Sequence, residues 1–76
     1  MRHPPMHAIL HSMNALDYLA ALRKRGLTQE EISRRCGVPQ STLSRIETGT
    51  TRNVMLSTYL ALQSLCAEMR IRVRPS

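Results

Sequence analysis

The chain has 76 residues, with eleven Lys and Arg against five Asp and Glu, a formal net charge of +6. A single domain of this size buries only about 60% of its unfolded surface, so association would help it, and its positive charge suits a polyanion. Tyr18 and Tyr59 are the only aromatic residues, too few for the stacking platforms of single-strand binding or the apolar anchors of a membrane-surface helix, which leaves duplex DNA as the better polyanion. No apolar run nears the roughly 18 residues of a membrane span, and no h-region of useful length marks a signal peptide.

Met1–His11 (MRHPPMHAILH) reads as an N-terminal arm, because Pro4 and Pro5 prevent a helix there. His3, His7 and His11 recur every four residues, but the prolines break the helix that would align them, and no Cys or acidic partner is near. No metal or other cofactor is therefore expected. Ser12–Arg25 reads as the first helix, with Ser12 as N-cap and Leu16, Leu19, Ala20 and Leu22 near one face. Arg23, Lys24 and Arg25 stand in its last turn, where cations complement the helix dipole or reach a phosphate, and Gly26 ends it.

Leu27–Gly49 (LTQEEISRRCGVPQSTLSRIETG) is the informative stretch. Thr28 is an N-cap candidate with Glu31 at the capping-box position. Ile32 and Cys36 form a buried stripe, Gly37 can take positive φ after the helix, and Val38 can plug the core at the turn. Pro39 cannot extend the first helix but can open a second. From Gln40 to Thr48 the pattern places Leu43 and Ile46 inward and Gln40, Ser41, Ser44 and Arg45 outward. Two helices joined by a short turn containing Gly form a helix-turn-helix, whose second helix enters the DNA major groove.

This stretch resembles the Cro/Xre (lambda-repressor-like) helix-turn-helix family at Leu27, Thr28, Gln29, Gly37, Val38, Gln40, Ser41, Thr42, Ser44, Glu47 and Gly49. Ile32 and Leu43 are apolar exchanges. Ser33, Cys36 and Pro39 depart from the usual Ala, Leu and Ser. With its flanking helices the resemblance covers Ser12–Ala67. It implies a compact four- or five-helix, all-α DNA-binding domain. It also implies backbone contacts from Thr28, Gln29, Thr42, Arg52 and Asn53, and base reading by Gln40, Ser41, Ser44 and Arg45. Gln can pair with adenine and Ser with most bases, while Arg45 suits either guanine or phosphate. Thr42 could instead face the seam between the helices. Glu47 is expected to hold a basic side chain or a loop N–H.

Leu56–Cys66 reads as a further helix with two apolar stripes, Leu56–Leu60–Gln63 and Tyr59–Leu62–Cys66, which implies burial on two sides. Beyond it the period changes to two: Met69, Ile71 and Val73 alternate with Arg70, Arg72 and Arg74. That pattern reads as a strand over Ala67–Pro75, whose unpaired backbone would find the same strand of a second molecule about a two-fold axis. Met69, Ile71 and Val73 are then the dimerisation residues. The ending LQSLCAEMRIRVRP resembles that of HipB-type antitoxins, which pair in this way.

The organisation expected is thus an arm over 1–11, the DNA-binding domain over 12–67 and a dimerisation strand over 68–76. Cys36 and Cys66 read as reduced core thiols of a cytoplasmic protein. No nucleophile–base–acid set or Gly-rich phosphate loop suggests an enzyme. The function expected is a dimeric transcriptional regulator, a repressor on a palindromic double-stranded operator. The alternative is an antitoxin that also binds a partner toxin.

Overall fold

A computed structural model describes residues 14–51 and 54–73, and in these the chain forms four helices. They are α1 (Ala15–Lys24), α2 (Gln29–Cys36), α3 (Gln40–Thr48) and α4 (Leu56–Glu68). The main packing pairs are α1 with α3 and α4, and α2 with α3 and α4. Leu19, Leu22, Ile32, Leu43, Leu62 and Cys66 are fully buried where these helices meet.

α1 begins later than its apolar pattern implies. Asn14, not Ser12, is the N-cap: its side chain accepts the Asp17 N–H at 3.0 Å, and Asp17 accepts the Asn14 N–H at 2.9 Å. Ser12 lies outside the described residues. The later start goes with a different buried face, Ala15, Tyr18, Leu19 and Leu22, at the i, i+3, i+4, i+7 spacing of one helical stripe. Leu16 and Ala20, expected inward, are exposed. Tyr18 packs edge-on against Tyr59 of α4, ring centroids 5.5 Å apart, and its hydroxyl accepts from Gln63 Nε2 at 3.1 Å.

α1 and α4 end in the same turn. After α1, Leu27 N–H donates to Leu22 O and Gly26 N–H to Arg23 O, with Gly26 at φ 109°. After α4, Ile71 N–H donates to Cys66 O at 2.9 Å and Arg70 N–H to Ala67 O at 3.0 Å, with Arg70 at φ 55°. This is the Schellman closure, with Arg70 where glycine is usual.

That turn overrides the period-two pattern. α4 runs through Glu68, so the strand expected from Ala67 does not start there, and Ile71–Val73 form no strand among the described residues. Met69, Ile71 and Val73, expected at a dimer seam, pack half-buried against the chain's own core. The reversal at Arg70 brings the segment back onto α1, where Ile71 and Arg72 share a cleft with Ala21, Lys24 and Arg25. Among the described residues the apolar side of this alternation, Met69, Ile71 and Val73, lies on the chain's own core.

Both thiols are free. Cys66 is buried, and loss of solvent pushes its thiol up to about 11. Cys36 is half-buried and donates to Ile32 O at 2.9 Å.

Candidate nucleic-acid interface

The site is built by α2, the turn after it and α3. Thr28 caps α2: its hydroxyl oxygen accepts the Glu31 N–H at 3.1 Å, and Glu31 Oε1 accepts the Thr28 N–H at 2.9 Å. The backbone N–H of Thr28 is the main cause that holds the Glu31 carboxyl below its ordinary value of 4.5. Gly37 closes α2 at φ 73°, its N–H donating to Ser33 O at 2.8 Å. Ser33, which replaces the usual small apolar residue, donates its hydroxyl to Val38 O at 2.6 Å. It thereby satisfies a carbonyl in the turn that an alanine would leave open.

α3 follows at once. Pro39 stands at its N-cap without a side-chain bond, and its carbonyl accepts from Thr42 and Leu43. The backbone N–H groups of Gln40 and Ser41 have no acceptor among the described residues. An oxygen from outside the protein, such as a phosphate, can fill that place at the positive end of the helix.

Leu43 and Ile46 are buried, while Gln40, Ser41, Ser44, Arg45 and Thr48 are all exposed. Spacings of three and four place these five on one face. Thr42 is half-buried, between that face and the seam.

Glu47 locks the assembly. Its Oε1 accepts from Gln29 Nε2 at 2.6 Å, and its Oε2 lies 2.9 Å from Arg23 Nε. One carboxylate from α3 thereby binds α1 and α2 together. The pair is partly exposed, at 41% for Arg23 and 25% for Glu47, so its electrostatic worth is modest, about 1 kcal/mol or less. Its geometric role is to join α3 to both α1 and α2 beside the buried Leu43 and Ile46. Of the two partners expected for Glu47, a basic side chain or a loop N–H, the structure shows the first, in Arg23 from α1 before the motif, and adds the Gln29 amide.

The lock also defines what remains free. Gln29 has two amide N–H donors, one given to Glu47 and one still available to a phosphate. The Thr28 hydroxyl donates to Glu31 Oε1 at 3.3 Å, so a phosphate could take that proton only in exchange. Arg52 and Asn53 lie outside the described residues. The structure brings Gln29, at the start of α2, against Glu47 of α3, along which Gln40, Ser41, Ser44 and Arg45 are the exposed residues of the candidate site. Met69, Ile71 and Val73 do not belong to it. Among the described residues no His, Cys, Asp and Glu group could hold a metal, and no helix is long and apolar enough to cross a membrane.

A short, well-anchored helix with a continuous polar outer face, held on a preceding capped helix, defines a helix-turn-helix DNA-binding domain. The chain matches the family model described as Helix-turn-helix over residues 19–66, well over half its length, and belongs to that family. The matched span includes parts of all four helices. The chain is also 35% identical over 60 residues to protein P2 of Acyrthosiphon pisum secondary endosymbiont phage 1, a match over 79% of this chain and 64% of that protein's length. No solved structure gives a significant match.

Proposed function

We propose that this chain is a sequence-specific, double-stranded-DNA-binding transcriptional regulator, a repressor acting in the cytoplasm as a homodimer on a palindromic operator. The observation that carries this reading is the outer face of α3, with Gln40, Ser41, Ser44 and Arg45 exposed around a helix whose Leu43 and Ile46 are buried. Gln40 and Ser41, in the first turn, read base edges. Ser44 and Arg45 act one turn on, and Arg45 serves guanine or phosphate. Gln29, Thr28 and Thr42, with Arg52 and Asn53 after α3, hold the backbone. Two such helices about a two-fold axis enter successive major grooves about 34–36 Å apart. The antitoxin alternative came from the C-terminal ending, and among the described residues that ending forms no strand, so the regulator reading is preferred.

The test separates reading from positioning. Gln40→Ala should cost about 1–3 kcal/mol on the cognate duplex and much less on a scrambled one. Arg52→Ala should weaken both duplexes alike and lower the slope of log K against log salt by about one. Titrations of both duplexes at three salt concentrations decide it. Equal losses on the two duplexes for Gln40→Ala would remove Gln40 from the reading residues.

A further inference from the structure

A second group of cations lies where the tail after α4 returns onto α1. At about 100° per residue, Ala21, Lys24 and the C-cap Arg25 fall on one flank of α1's buried stripe, and Arg23 falls on the other. Arg23 marks the flank tied to α3, through Glu47. On the opposite flank, Ile71 and Arg72 meet Ala21, Lys24 and Arg25 around a cleft of about 380 Å³, within the roughly 300–1,000 Å³ range of ligand pockets. Ala21 and Ile71 are half-buried and apolar, while Lys24, Arg25 and Arg72 are exposed. No ion pair or side-chain hydrogen bond engages these three cations among the described residues. The chain's five acidic side chains stand elsewhere. Asp17 caps α1, Glu30 and Glu31 open α2, Glu47 holds Arg23, and Glu68 lines a different cavity with Arg35.

We propose that this cleft docks an acidic segment of a partner protein, with an apolar side chain on Ala21 and Ile71 and carboxylates on Lys24, Arg25 and Arg72. Three like charges around one cleft repel, and a bound carboxylate offsets that repulsion. The apolar residues between them suit a peptide that carries apolar and acidic side chains together. A nucleic-acid strand is the poorer fit. No aromatic side chain lines the cleft to stack a base, and a phosphate backbone has no apolar group for Ala21 and Ile71. The cleft opens on the flank of α1 opposite the one tied to α3, so the partner and a duplex on α3 can be held at once. The docking surface is thus separate from the residues assigned to DNA, and goes beyond the regulator reading.

The probe is a fluorescein-labelled hexapeptide of four glutamates and two leucines, blocked at both ends, titrated with the full chain and read by anisotropy. Wild type should bind it, and should bind a hexaglutamate peptide on the order of 5-fold more weakly, because the apolar contact is then missing. Arg72→Glu and Lys24→Glu should each weaken the leucine-bearing peptide on the order of 10-fold, as a like charge facing a carboxylate does. Arg34→Glu makes the same change in net charge on the exposed side of α2 and should stay within about 2-fold, because salt screens it from the cleft. All three side chains are exposed, so circular dichroism should remain helical. The proposal is overturned if wild type leaves the peptide unbound or if the two peptides bind alike. It is overturned equally if Arg34→Glu weakens binding as much as the cleft variants do, a response to net charge alone. A hexathymidylate strand that binds more tightly than the peptide and is lost in the same two variants would assign the cleft to nucleic acid instead. Arg72→Glu should leave the Gln40-dependent difference between cognate and scrambled duplexes in place, so the docking and DNA readings fail separately.

Discussion

Helix α2 has eight residues and is closed at both ends by its own sequence, through the Thr28–Glu31 capping box and Gly37 in the left-handed conformation. Helix α4 has 13 residues, no side-chain cap at its start and an arginine in the left-handed position after its end. α2 buries only Ile32 fully, whereas α4 buries Thr58, Leu62, Leu65 and Cys66. The first helix is therefore stabilised largely at its ends and the second through its side. Short helices are marginal in water, so each needs one of these means. The difference also suits function: end-capping leaves the surface of the motif polar and available, while α4 contributes the mass of the core.

The largest effect should come from the side-anchored helix. Leu62 is fully buried, and Leu62→Ala should cost about 2–5 kcal/mol through lost transfer energy and a residual cavity. In a domain this small that is a large part of total stability, read as a lowered midpoint in urea. A cost well below that range would show that α4 is not held by burial.

An intermediate effect should come from the capped helix. Thr28→Ala should cost about 1 kcal/mol, as loss of an N-cap does. Here pH sharpens the comparison. Glu31 has a folded value held below 4.5, so its contribution is present above that value and is lost as pH falls through the lowered one. The gap between wild type and Thr28→Ala should shrink in strong acid. A gap that grows there would break the capping-box account.

The smallest effect has the opposite sign. Arg70 sits at φ 55°, where an L-residue is disfavoured and glycine is not. Arg70→Gly should stabilise the chain by about 0.5–1 kcal/mol, after allowing for glycine's greater freedom when unfolded. Thermal melting at matched salt checks this. A loss of stability would mean that the Arg70 side chain does more than tolerate its turn.

The motif was legible because its signals are local. Thr28, Glu31, Gly37 and Gly49 act on backbone groups within a few residues of themselves, and the outward set Gln40, Ser41, Ser44 and Arg45 follows from helical phase once Leu43 and Ile46 point in. The start of α1 was misplaced because two capping residues stand close together, and only Asn14 has an acidic side chain three residues on to complete the box. The roles in DNA contact remain proposals, carried by the exposed face of α3 and by family membership.

By itself the sequence determined the all-α class, the α2–turn–α3 unit and the polar face of α3, since each depends on chemistry spanning one or two helical turns. Tertiary structure decided the rest. Which stripe of α4 is inward, that Glu47 holds Arg23 and Gln29 at once, and that Met69, Ile71 and Val73 return to their own core all depend on residues distant in the chain. Periodicity shows that a face is apolar. What covers that face is settled by the whole chain, because burial is a property of neighbours and not of spacing.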